Sequence, residues 1–123
     1  MQSREPQCRT LSAAAVDLVT ARFRILGEPV RVRLLEALQE GEKSVSALAA
    51  EVRTSRANVS KHLRLMQSAG VVGRRPVGNV VFYFIADASV LDLCSAVCAS
   101  IGERLLRDAK IAAELNREVA DRD

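Results

Sequence analysis

Two sets of side chains in this sequence have the types and spacing to do chemistry. From Val52 through Ala86, thirty-five residues pass without an Asp or Glu while carrying Arg53, Arg56, Lys61, Arg64, Arg74 and Arg75. Cations gathered without counter-charges bind a phosphate backbone, because each contact releases condensed counterions from the nucleic acid. The second set is sulfur: Cys94 and Cys98, four residues apart, with Cys8 near the start. Side chains four apart on a helix have Cβ atoms about 5–6 Å apart, so two thiolates at that spacing can share one soft ion.

The remaining charge sharpens the first point. Residues 1 to 51 carry a formal charge of 0, residues 52 to 86 carry +6, and residues 87 to 123 carry −3, so the net +3 of the chain lies in its middle. At 123 residues and 49% hydrophobic content, with no Trp, the chain can form one domain with a modest core, completed by a partner chain. The start, MQSREPQCRT, lacks an apolar export segment, and no later run reaches eighteen apolar residues, so the expected location is the cytoplasm, away from the membrane. Three cysteines, an odd number without an export signal, are read as reduced thiols.

The elements that must position these groups follow from periodicity. After an N-terminal arm over residues 1–10, expected to be flexible, Leu11, Ala14, Leu18, Ala21 and Ile25 form a seam-like stripe on a first helix ending at Gly27. Pro29 opens a second helix with inner residues Val30, Leu34, Leu35 and Leu38, stopped by Gly41. Ser44 caps a short third helix with Val45, Leu48, Ala49 and Val52 inward, and Ser55 caps a fourth running to about Ala69. Two short helices joined by a tight turn are the helix-turn-helix pattern, whose second helix enters the major groove.

On that fourth helix Val59, Leu63 and Met66 face inward, leaving Ser55, Arg56, Asn58, Ser60, Lys61 and Arg64 for DNA. Arg reads guanine edges and Asn adenine, with Ser and Lys more often on phosphates. Residues 71–75 and the run Val80 to Ile85, separated by the turn Pro76-Val77-Gly78-Asn79, make a hairpin whose Arg74, Arg75 and Asn79 lie along the duplex as a wing. Phe82, Tyr83 and Phe84 sit in an apolar run away from the bases, which predicts core packing over base stacking. A fifth helix, capped by Asp87 or Ser89, carries Leu91, Cys94, Cys98, Ile101 and Leu105 as a second seam, and residues 108–123 either prolong it or fray. The expected fold is therefore mostly α with a β-hairpin wing, a winged helix-turn-helix over residues 11–107. It forms a homodimer through the first and last helices and presents two recognition helices to double-stranded DNA.

The segments FRILGEPVRVRLLEAL, SRANVSKHLRLMQSAGVV and VVFYFIAD, with the long helix that follows, resemble the ArsR/SmtB family of bacterial winged-helix repressors over roughly residues 15 to 107. The resemblance implies a homodimeric, cytoplasmic repressor that leaves its operator on binding a metal or metalloid, or on thiol modification. It maps DNA contacts onto Ser55 to Arg64 and Arg74 to Asn79. The family's third-helix cysteine positions correspond to Ser44, Ser46 and Ala49, so that arsenic and cadmium site is absent. The His-rich zinc site is absent too, since the single His is His62, within the recognition helix. It is expected to hydrogen-bond or pack at the DNA surface.

Cys94 and Cys98 remain, an incomplete pair for As(III), which favours three sulfurs; Cys8 on the arm is the third. The effector expected is trivalent arsenic or antimony, with Cd, Pb or Hg as further candidates. Both cysteines also lie on the apolar stripe, where free Cys serves as a small hydrophobe. A thiol-redox or persulfide sensor of the same fold is the alternative reading, and a non-sensing winged-helix module another. An enzyme is not expected: there is no Cys-x-x-Cys and no Gly-rich phosphate loop.

Overall fold

The computed structural model describes residues 10 to 122. Four polar side chains start its first helices by accepting an otherwise orphaned backbone N–H. Ser12 accepts from Ala15 N at 3.2 Å and opens α1 (Ala13–Leu26), leaving Leu11 outside the helix whose stripe it was expected to join. Glu28 accepts from Arg31 N at 3.0 Å and opens α2 (Pro29–Leu38), with Pro29 in the first turn where no N–H is needed. Ser44 and Ser55 cap α3 (Val45–Val52) and α4 (Arg56–Ser68) through Ala47 N at 3.1 Å and Asn58 N at 3.0 Å. Between the last two helices Arg53 takes a left-handed conformation, φ 62°, the one non-glycine residue with positive φ among those described.

The β-structure departs from a simple hairpin in two ways. A two-residue strand, β1 (Lys43–Ser44), pairs with β3 (Val80–Ile85), which in turn pairs antiparallel with β2 (Val72–Val77), giving the order β1-β3-β2. Sequence periodicity could not reveal β1, because two polar residues carry no pattern. The expected turn is also too long: Pro76 and Val77 belong to β2 and pair with Val81 and Val80, leaving Gly78 and Asn79 as the loop. Proline is tolerated because β2 is an edge strand, and Gly78 supplies the positive φ of 59° that a two-residue loop needs.

Leu34, Leu35 and Leu38 of α2, Leu48 of α3, Val59, Leu63 and Met66 of α4, and Val71, Val72 and Tyr83 are buried together as the core. Each large apolar side chain removed from water contributes about 1.5–3 kcal/mol. Of the three aromatics expected there, only Tyr83 is in the core; strand alternation turns Phe82 and Phe84 to the other face of the sheet, where Phe84 lies over Gly73. Arg22 of α1 donates to Ala69 O at the end of α4 at 3.3 Å and to Asp87 Oδ2 at 2.9 Å.

The chain divides into two compact units after Asp87. The second holds the helix α5 (Ser89–Arg122), 34 residues without a break, so the segment from residue 108 prolongs the helix. Its Val97, Ile101, Leu105, Leu106, Ile111, Leu115 and Val119 are exposed, as are Val16, Leu18 and Phe23 on α1. The arm over residues 1–10 lies outside the described residues apart from Thr10. No described helix is long and apolar enough to cross a membrane.

Candidate nucleic-acid interface

Helix α4 sorts its side chains by period. Val59, His62, Leu63 and Met66 are buried, so Arg56, Ser60, Arg64 and Gln67, stepping by four, four and three, form a neighbouring stripe. This stripe looks onto the wing across two adjoining clefts. One is lined by Ser60, Arg64 and Gln67 of α4, Arg74 of β2 and Tyr83 of β3. The other is lined by Ser44 and Ser46 at the start of α3, Arg56 and Ser60 of α4, and Asn79 and Val80 at the wing tip. Ser60 borders both, so recognition helix and wing enclose one continuous groove.

Arg56, Lys61, Arg64 and Arg74 are exposed, and none has an ion-pair partner among the described residues. Lys61 borders neither cleft. Ser55 spends its hydroxyl oxygen on the α4 cap, and Asn58 Nδ2 donates to Thr54 Oγ1 at 3.0 Å, so these two side chains brace the turn. Ser46 and Gln67 extend the groove beyond the sequence-based set. Gln67 continues the spacing of Arg56, Ser60 and Arg64; Ser46 had no local signal.

Arg75 is placed differently from its neighbour. Strand alternation sets Arg74 beside buried Tyr83 and Arg75 beside Phe82, on opposite faces of the sheet. Arg75 Nε donates to Glu42 Oε2 at 2.9 Å, a second guanidinium N–H donates to Glu42 Oε1, and the cation stands 5.5 Å from the Phe82 ring centroid. The hydrogen bond from Arg75 holds the Glu42 carboxyl below the usual carboxylate range, and the same bond raises Arg75. Its planar fork is thus filled by a carboxylate where the sequence suggested phosphate. Nearby, Lys43 donates to Glu51 at 2.7 Å and Glu40 at 3.0 Å, which raises its ammonium above the ordinary lysine value.

His62 also differs from expectation. It hydrogen-bonds and packs, but inside: its Nδ1 accepts from Arg31 Nε at 3.1 Å, and the residue is buried away from the groove.

On α5, Cys94 is half-buried and Cys98 exposed, both free thiols. Among the described residues no group of three or more His, Cys, Asp or Glu is arranged to hold a metal ion. The two sulfurs alone give a soft ion a partial donor set, and Cys8, the third sulfur of that reading, lies outside the described residues.

A short helix, a tight turn, a cationic second helix and a hairpin flanking it define a winged helix-turn-helix DNA-binding domain. A family model described as a helix-turn-helix domain matches residues 26–75. The transcriptional repressor SmtB homolog of Synechocystis is 34% identical over 102 residues, 83% of this chain and 77% of that protein. The homodimeric winged helix-turn-helix domain of Mb0332 from Mycobacterium bovis, a possible ArsR-family regulator, matches with TM-score 0.69 at 28% identity over 80% of this chain and 94% of that one. The AntR antimony-specific transcriptional repressor matches with TM-score 0.70 at 30% identity, over 85% and 97%. The chain belongs to the ArsR/SmtB family of helix-turn-helix transcriptional regulators.

Proposed function

We propose that this protein is a homodimeric, cytoplasmic repressor. It binds double-stranded operator DNA through α4 and the wing, and leaves it when a thiophilic metalloid, As(III) or Sb(III), is taken up by Cys94 and Cys98. The observation that carries the DNA-binding half is the groove holding Arg56, Arg64 and Arg74 in a segment free of acidic residues, with Lys61 exposed beside it. Arg74, Arg64 and Lys61 serve as phosphate contacts; Arg56, nearest the start of the recognition helix, also reads bases. Ser60 and Asn79 border the same groove, while Ser55 and Asn58 hold the turn that aims it.

Exposed apolar side chains on α1 and on α5 support a dimer built on these helices, an arrangement in keeping with the homodimeric Mb0332 domain. The effector half rests on Cys94 and Cys98, one turn apart on α5, and on the likeness to an antimony-specific repressor. Soft thiolates suit trivalent arsenic and antimony, and Cys8 is the remaining thiol of the chain. Binding at α5 reshapes the dimer seam and changes the separation of the two recognition helices. The reading assigns no catalytic role to any residue.

The test is operator binding by the dimer. Half-sites should lie about 34–36 Å apart or a multiple of that. Protein that stays monomeric at micromolar concentration, or that binds DNA with no salt dependence, contradicts this reading.

A further inference from the structure

We propose that Arg31 and His62 are positioning residues for the recognition helix, and that a proton on His62 unseats it. The inference rests on the DNA-binding reading above. Three helices meet at one guanidinium. Arg31, in the first turn of α2, donates from Nε to His62 Nδ1 on α4 at 3.1 Å and from a terminal nitrogen to Ile25 O in the last turn of α1 at 3.2 Å. Its own backbone N–H donates to Glu28 Oε2 at 3.0 Å, and that same carboxylate oxygen stands 3.8 Å from His62 Nδ1.

The chemistry at Nδ1 is exclusive. An arginine has donors only and stays charged in proteins, so the nitrogen facing it must present a lone pair. His62 is therefore neutral in this arrangement, with its hydrogen on Nε2. A proton added at Nδ1 turns the acceptor into a donor: the bond from Arg31 is lost, two cations face each other, and the Glu28 oxygen becomes the better partner. The two contacts of Nδ1, one to Arg31 and one to Glu28, are thus alternatives. Glu28, the cap of α2, and Arg31, in its first turn, are the charged groups that face the imidazole among the described residues. Lys61 beside it on α4 is exposed.

His62 lies on the buried side of α4, with Leu63 and Met66 beside it, while Arg56, Ser60 and Arg64 face the groove. Exchange of the partner of His62 therefore shifts the helix against α2 without touching a DNA-facing side chain. Because Arg31 also donates from a terminal nitrogen to the Ile25 carbonyl, the same guanidinium links the exchange to the end of α1.

The test uses the full-length dimer and a labelled operator duplex at about pH 8 and about pH 5.5. Asn places its side-chain oxygen close to the position of Nδ1 and accepts from Arg31 but takes no proton; Leu offers no acceptor. Wild type should bind about tenfold more weakly at the lower pH, the scale of a lost hydrogen bond to a charged group. His62→Asn should match wild type at the higher pH and stay within about twofold of it at the lower. His62→Leu and Arg31→Gln should be weak at both. Nitrogen NMR of the imidazole in DNA-free protein gives a readout independent of these variants' folding: Nε2 should carry the hydrogen at about pH 8. Equal wild-type affinity at the two pH values overturns the proposal, as does His62→Asn tracking wild type or a hydrogen found on Nδ1. A wild type that fails to bind operator at the higher pH refutes the DNA-binding reading instead.

Discussion

Arg74→Ala, Arg75→Ala and Glu42→Gln form a set in which two adjacent arginines should behave differently. Among the described residues, Arg56, Lys61, Arg64 and Arg74 are the exposed, unpaired cations at and beside the groove. If each meets one phosphate, the dimer neutralises about eight, and log K should fall against log salt with a slope of about −7. Arg74→Ala removes about two contacts per dimer and should bring the slope to about −5. Arg75 is held by Glu42 on the other face of the sheet, so Arg75→Ala should leave the slope at about −7. Glu42→Gln is the sharper probe. Were Arg75 a phosphate contact, removing its carboxylate would free it, tighten binding and steepen the slope toward about −9. If Arg75 instead tethers β2 to the segment before β1, Glu42→Gln and Arg75→Ala should each weaken binding by the same small factor, no more than about fivefold, and the double variant no further. Fluorescence anisotropy between about 50 and 200 mM salt reads both quantities. Tighter binding by Glu42→Gln would refute the tether.

Three further outcomes follow from packing and charge. Leu63 is fully buried in α4, so Leu63→Ala should cost about 2–5 kcal/mol in denaturant unfolding and lose DNA binding with the fold. Arg53→Gly removes the steric cost of the left-handed turn and should raise stability by up to about 1 kcal/mol in thermal unfolding, with no loss of operator affinity. Glu42 contributes stability that is fully present above the ordinary carboxylate pKa and is lost as pH falls through its lowered value. The tether therefore survives at about pH 5.5, and Glu42→Gln should leave the pH dependence of DNA binding unchanged.

What the sequence disclosed was local. Ser44, Ser55 and Pro29 announce helix starts because a cap satisfies donors within its own turn, and the inward faces of α2 and α4 follow from the 3.6-residue period. The groove residues Arg56, Ser60 and Arg64 were legible for the same reason. What stayed hidden depends on partners distant in sequence. Strand β1 is two residues recruited by β3 nearly forty positions on. Arg75 looked like its neighbour until strand alternation and Glu42, 33 residues back, separated them. His62 reads as polar and exposed by type, yet Arg31, 31 positions earlier, gives it a buried partner. A proline usually ends a strand, and only the edge position of β2 lets Pro76 stay within one.

The measurement that bears most directly on a thiol-controlled repressor is release from the operator by antimonite and arsenite, for wild type, Cys94→Ser and Cys98→Ser, with Cd(II), Zn(II), peroxide and persulfide as comparisons. The account predicts that wild type loses about five- to 150-fold in operator affinity with the metalloids, the usual span of allosteric coupling. Both variants should bind the operator as wild type does and fail to release it, since Cys94 and Cys98 lie on α5 and line neither cleft. Release of both variants by arsenite would return the two cysteines to a packing role, and release of wild type by peroxide or persulfide alone would make it a redox sensor.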